Sequence, residues 1–231
     1  MTTFKQRRDQ LKSDLVTQGH RVYELLLRAV ESYFDRDQQK AASVIAGDEV
    51  IDRVDVEIER ASIELLAMGL TEAHDIRFVL TIVKVNNELE RIADCAVNVA
   101  DVVIAQLDEM KEATPPATFR VMANSVIGMV RDANRALSEL NVDLAQQVLM
   151  FDDTVGEFKR EIGLDAERQV AAGTYSVGFG FRIRRVTSQL ERIADHCTNI
   201  CEQVIYLESG KIVRHLQSGW TEPELPDGNG K

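Results

Sequence analysis

Glu90 and Asp94 stand four residues apart, and so do Glu191 and Asp195. In a helix that spacing sets two side chains about 40° apart around the axis and one turn apart along it, so each pair projects from one face. Paired carboxylates on one face are the start of a cation site. Their oxygen-only ligands suit Mg, Mn, Fe or Ca, and Zn less where no imidazole or thiolate joins them. The surroundings of the two pairs are also alike. Leu89-Glu90-Arg91-Ile92-Ala93-Asp94 recurs letter for letter as Leu190-Glu191-Arg192-Ile193-Ala194-Asp195, each followed by asparagine (Asn98, Asn199) and then an acid (Asp101, Glu202). The chain therefore reads as a tandem duplication that repeats a carboxylate pair.

The elements that must position these acids are helices. Only four prolines occur, two at Pro115-Pro116 and two in the last nine residues, so nothing interrupts a helix on either side of that joint. Apolar residues fall at Leu11, Leu15, Val22, Leu26, Ala29 and Tyr33, and again at Phe119, Met122, Val126, Met129, Ala133, Leu137 and Leu140. Both series follow the three-and-four spacing of a bundle helix. The pattern predicts an all-α protein of two tandem, pseudo-symmetric three-helix bundles, with helices near 4–36, 38–69, 73–112, 117–140, 143–171 and 174–210. The halves run over 1–113 and 116–212, and a polar tail over 213–231 is expected to fray from Leu216. Matching positions in the first two helices of each half are displaced by 104, as from Asp48 to Asp152, but the glutamates of the third helices by 101. The connection before the last helix is thus expected to be three residues shorter.

Folding each half about its second turn brings further acids to the same levels. With a turn near 71–72, Asp48 falls level with Asp94 and Asp52 with Glu90, so four carboxylates converge. Asn98 and Asp101 continue the stripe. In the second half, Asp152 and Asp153 fall level with Asp195, but Gly156 stands where Asp52 stands in the first. The second set is one carboxylate short unless Glu157 substitutes. Asn199 and Glu202 are its counterparts to Asn98 and Asp101. The plain alternative is a solvated acidic face paired with Arg91 and Arg192, because acid pairs at this spacing are common and cost only a few tenths of a kcal/mol each. Like charges gathered at one level of two facing helices, and repeated in both halves, favour a cation.

Charge limits the function classes. The 27 basic and 38 acidic residues leave a net charge of -11, which argues against a nucleic-acid footprint and for cations or basic protein patches. The first half carries -8 and the remainder -3. No apolar run approaches the roughly 18–20 residues needed to span a bilayer and no apolar leader opens the chain, so a cytoplasmic location is expected. Cys95, Cys197 and Cys201 lie inside the repeated apolar helices and read as reduced core thiols.

Other residues carry weaker signals. His20, His74, His196 and His215 are scattered, and none follows a glutamate at three residues, which argues against a ferritin-like di-iron oxidase. Gly173, Gly178 and Gly180 follow no strand, so close helix packing is a better reading than a phosphate-cradling loop. Arg182, Arg184 and Arg185 form the one dense basic cluster and are read as balancing the acidic helices. No nucleophile and base are placed together, so catalysis is not supported. A carboxylate-bridged metal enzyme and a metal-free helical scaffold are the rival readings.

Two halves each with a Leu-Glu-Arg-Ile-x-Asp-x-x-x-Asn helix, the upstream Ala73-x-Asp75-Ile-Arg77, and a closing Tyr206-Leu-Glu-Ser-Gly-Lys-Ile-Val-Arg-His215 resemble the PhoU family of phosphate-transport regulators. The resemblance covers about residues 8–215. It implies a regulator rather than an enzyme, which binds metal ions (Fe, Mn, Mg or Zn) through Glu/Asp-x-x-x-Asp motifs. These map here to Glu90/Asp94 and Glu191/Asp195, joined by Asp48/Asp52 and Asp152/Asp153. It also implies restraint of the phosphate-starvation response through contacts with the phosphate-sensing histidine kinase and the ATPase subunit of the phosphate ABC importer. The long amphipathic helices permit a homodimer, which is expected. Gly156 departs from the family pattern by replacing an acid. Glu72 departs where proline is common, which affects only how the third helix starts.

Overall fold

The computed structural model describes residues 3–69, 72–110, 114–216 and 219–221. Six α-helices carry the fold: α1 (Phe4–Asp35), α2 (Gln38–Leu66), α3 (Ala73–Met110), α4 (Ala117–Glu139), α5 (Val142–Ala171) and α6 (Val177–Ser209). The polar side chains expected at helix starts make the caps. Thr3 and Gln6 form a reciprocal capping box on α1, Asp37 accepts from Gln39 N and Lys40 N on α2, Asn141 accepts from Leu144 N on α5, and Ser176 accepts from Phe179 N on α6. Such caps satisfy N–H groups that the helix itself cannot.

The duplication is visible in the turns. Arg36 and Leu140 close α1 and α4 in the left-handed region (φ 57° and 53°), and Gly69 and Gly173 follow α2 and α5 with φ 82° and 73°. Each pair is displaced by 104. Within each half the three helices pack on one another, α1 on α2 and α3 and α4 on α5 and α6. The halves meet through α3 against α6 and α1 against α4, so the longest helices lie at the centre and α2 and α5 outside. Leu15, Val22, Leu26 and Ala29 of α1 and Phe119, Met122, Val126 and Ala133 of α4 are buried on the expected stripes. A fully buried leucine of this kind contributes roughly 2 kcal/mol before the entropy of ordering it. Among the described residues, no helix is long and apolar enough to cross a membrane.

Two expectations need correction. The three-residue loss lies mostly inside the last helix rather than before it: α3 and α6 begin 104 residues apart, at Ala73 and Val177, whereas Glu90 and Glu191 are displaced by 101. The Ser176 cap fixes that late start, and Tyr175 is held in the preceding turn by its hydroxyl, which donates to Thr114 O at 2.7 Å. The tail also keeps structure beyond Leu216. Strand β1 (Arg214–Leu216) pairs antiparallel with β2 (Gly219–Thr221), Arg214 opposite Thr221. Residues 222–231 lie outside the described residues.

Candidate metal centre

α2 and α3 present the first acidic patch. Asp48, Asp52 and Asp55 fall on one stripe of α2, and Glu90 and Asp94 face them from α3. Asp48 is half-buried, and its carboxyl is pushed up to about 6 by desolvation, then by the charges of Asp52 and Asp94. Desolvation also raises Glu90, with Asp94, Asp55 and Asp52 adding to it against the opposing Arg91. Asp55 is raised by desolvation, Glu59 and Asp52, although Asn86 Nδ2 donates to its Oδ1 at 2.6 Å. Asp48, Asp52, Glu90 and Asp94 are thus near enough to act on one another electrostatically. Arg91 partly compensates them. Its Nη1 donates to Asp94 Oδ2 at 3.2 Å, while its Nε lies 3.3 Å from Glu90 Oε2. That buried glutamate oxygen has no hydrogen-bond partner among the described residues.

The second patch is built differently. Asp195 keeps an exposed edge, yet its carboxyl is pushed up to about 6 by desolvation, then Asp152 and Glu191, with His196 and Lys159 opposing. Asp152 is thus the α5 acid that acts on Asp195; Asp153 and Glu157 are exposed and do not figure among its neighbours. Lys159 Nζ instead donates to Glu191 Oε2. Lys159 is the positional counterpart of Asp55, and Gly156 the counterpart of Asp52, so two acids of the first patch become a cation and a void in the second. Nothing lies within 4 Å of a Cβ built on Gly156.

The remaining candidates divide. Asn98 Nδ2 donates back to Asp94 O at 2.9 Å, a bond within its own helix. Asn199 Nδ2 instead crosses to the other half and donates to Glu88 Oε2 at 3.0 Å. His196 Nδ1 meets the same oxygen at 2.7 Å, which makes Glu88 a clasp between α3 and α6. Asp101 is half-buried and Glu202 buried, each two turns beyond its patch's aspartate. The three cysteines are free and buried, and burial raises their thiols, Cys95 to about 11.

Sequence reasoning missed Asp55, Lys159 and Glu88. Asp55 was available from its spacing to Asp48 and Asp52. Lys159 needed only the 104-residue displacement applied to Asp55, whereas Glu88 gives no signal until α3 and α6 are docked. In donor chemistry the first patch fits a hard cation: its ligand atoms are carboxylate oxygens, and burial together with neighbouring carboxylates drives Asp48, Asp55 and Glu90 toward protonation. Among the described residues, however, no three His, Cys, Asp or Glu side chains are gathered closely enough to hold one ion.

A duplicated three-helix unit, docked through its third helix and carrying an acidic patch in each copy, defines an all-α protein of tandem three-helix bundles. Residues 15–103 and 119–204 each match the PhoU domain, and the chain belongs to the PhoU family. It is 31% identical over 216 residues to phosphate-specific transport system accessory protein PhoU homolog 1 of Thermotoga maritima, covering 94% of this chain and 93% of that one. It is 24% identical to the PhoU accessory protein of Escherichia coli, covering 92% and 88%. The crystal structure of PhoU from Pseudomonas aeruginosa superposes with a TM-score of 0.86 at 28% identity, over 90% of this chain and all of that one. The family is therefore that of accessory proteins of phosphate transport.

Proposed function

We propose that this chain is a metal-binding regulator of phosphate uptake and phosphate-starvation signalling, acting as an adaptor on the ATPase subunit of a phosphate ABC importer and on a phosphate-sensing histidine kinase. The observation that carries the metal part is the repeated acidic patch. Asp48 and Asp195, at equivalent levels of the two halves, are both pushed up to about 6 by desolvation and neighbouring carboxylates. A divalent cation would relieve that repulsion, and drawing Asp48, Asp52, Glu90 and Asp94 onto it would tie α2 to α3. In the second half Asp152, Glu191 and Asp195 would do the same between α5 and α6, in competition with Lys159. Binding energy spent on closing each half is then available to bias which face the bundle offers a partner. The accessory role given to its relatives supports the partner assignment.

The test is metal content by mass spectrometry on protein purified without chelator or affinity metal. Wild type is compared with Glu90→Ala/Asp94→Ala and with Glu191→Ala/Asp195→Ala. The expected result is metal lost one patch at a time, together with weaker co-purification of the importer ATPase. Wild type that stays metal-free after reconstitution with Fe, Mn, Mg and Zn would reduce the patches to surface features and leave the adaptor role on protein contacts alone.

A further inference from the structure

The stripe of α3 that carries Glu90 and Asp94 continues toward the start of the helix as an apolar one. At about 100° per residue, Ile76, Leu80 and Val83 fall on the same side as Asn87, Glu90 and Asp94. All three are exposed, Leu80 by 44%, on the side of α3 away from its buried Phe78, Val79, Ile82 and Val85. α2 repeats the arrangement in the opposite direction. Ile63 and Leu66 lie on the stripe of Asp48, Asp52 and Asp55 and are also exposed, Ile63 by 59%. Asn86 donates to Asp55 across the two helices, which sets Ile63 and Leu66 level with the start of α3. The α2–α3 face thus has an apolar end at the hairpin tip and an acidic end beyond it, with roughly 27 Å along the axis from Ile76 to Asp94.

Single apolar residues on a surface need no explanation, but a gathered and repeated set does. By the 101-residue displacement of the glutamates, Ile76 and Leu80 correspond to Val177 and Phe181, which are 61% and 69% exposed. The apolar pair stays outside in both halves although every side chain in it has changed. The second half departs where charge matters. Arg184, paired with Glu167 at 3.6 Å, stands where Val83 stands in the first, and Lys159 where Asp55 stands.

Charge selects the occupant. The first half carries -8 of the net -11, and Asp48, Asp52, Asp55, Glu59, Glu90 and Asp94 lie along this face. Of the cations on α3, Arg91 is engaged by Glu90 and Asp94, Lys84 lies over the Tyr206 ring of α6, and Arg77 lies against Gly210 at the end of α6. On α2, Arg53 and Arg60 stand at least about 100° round from the stripe. Such a face repels an anionic bilayer, and a second copy laid along it would set its own acids against these. A helix can follow a stripe of this length with one side. We propose that the α2–α3 face docks a helical segment of a partner protein, apolar at one end and rich in Lys or Arg at the other along the same side. The proposal rests on the adaptor reading above in taking a protein as the occupant; its test uses neither importer nor kinase, so it can fail while that reading stands.

The test is fluorescence anisotropy of the full chain, in chelator, with a labelled synthetic helix of about 18 residues. The peptide carries three leucines and then four lysines along one side of an alanine and glutamine background. Saturable one-to-one binding below about 1 mM is expected. Glutamates in place of the lysines, or glutamines in place of the leucines, should each weaken it at least about tenfold. Leu80→Ser/Val83→Ser, at exposed positions outside the core, should weaken it about tenfold, and Ile63→Ser on α2 at least about threefold. Phe181→Ser should leave it within about twofold of wild type, because the second half lacks the acids. Circular dichroism melting checks that each variant folds. Absence of saturable binding, indifference to both first-half variants, an equal loss in Phe181→Ser, or equal affinity for the glutamate peptide would overturn the proposal. So would a dimer in sedimentation that Leu80→Ser/Val83→Ser dissociates, which would seat a second copy on this face.

Discussion

The side-chain amide of Asn134 donates to the carbonyl of Gly19 at 2.8 Å, joining α4 to α1 across the two halves. The approach is close enough that a Cβ on Gly19 would fall into the Asn134 carboxamide, 2.9 Å from its Cγ. Asn134 is 5% exposed, so the amide has nowhere to retreat. Gly19→Ala is therefore expected to destabilise the fold by about 1–3 kcal/mol, through overpacking and a disturbed buried hydrogen bond. A urea midpoint lowered at unchanged slope checks it; an unchanged midpoint would mean that α1 and α4 shift apart without cost.

Stability of the metal-free chain should depend on pH in a particular direction. Asp48 and Asp195 have folded-state values of about 6 against 3.8 in the unfolded chain. Between those values the native state holds more protons, so these groups make stability fall as pH rises from about 4 to about 6 and level off above. The unfolding midpoint, followed by circular dichroism across that window, is expected to drop, and Asp48→Asn/Asp195→Asn to flatten the drop. Added Mn²⁺ should stabilise most above about pH 6, where the acids are ionised.

The two patches should differ in cation affinity, and the difference should be repairable. Gly156 has open space where a side chain would go, and Lys159 neutralises Glu191. Gly156→Asp/Lys159→Asp restores the acids that the first half carries at Asp52 and Asp55. The double variant is expected to be less stable without metal and to show a larger Mn²⁺-dependent rise in Tm than wild type. An unaltered response to Mn²⁺ would count against cation binding in the second half.

Glu88 and His196 should prove energetically coupled. Their side chains are 18% and 17% exposed and meet at 2.7 Å, with Asn199 on the same oxygen. A double-mutant cycle of Glu88→Ala and His196→Ala, read by urea unfolding, is expected to give a coupling energy of about 0.5–3 kcal/mol. A value near zero would show that the clasp is incidental to how the halves dock.

Much of this was legible before any coordinates. Helical spacing and the two prolines locate all six helices to within a few residues, because amphipathic stripes such as Leu15-Val22-Leu26 have only one face to bury. The repeated hexapeptide and its displaced partners point to the acids of α2 and α3 that act on one another electrostatically. What escaped depends on relations that a chain read one helix at a time does not contain. Glu88 becomes a clasp only once α6 lies on α3, and the late start of α6 is decided by the Ser176 cap rather than by apolar periodicity. The Tyr33 hydroxyl reads from sequence as an ordinary core aromatic; only packing shows it without a hydrogen-bond partner among the described residues.

The docking of α3 against α6 also bears on how such a chain arose. A protein of half this length would carry the same long third helix, with an apolar face that its own two remaining helices leave uncovered. It would find cover only in a second copy of itself, at a strength set by its abundance in the cell. Joining two such copies through a segment like Pro115-Pro116 makes that contact intramolecular and independent of abundance. Tethered copies need not be identical, and Lys159, at the position equivalent to Asp55, is a difference of the kind that the tether permits.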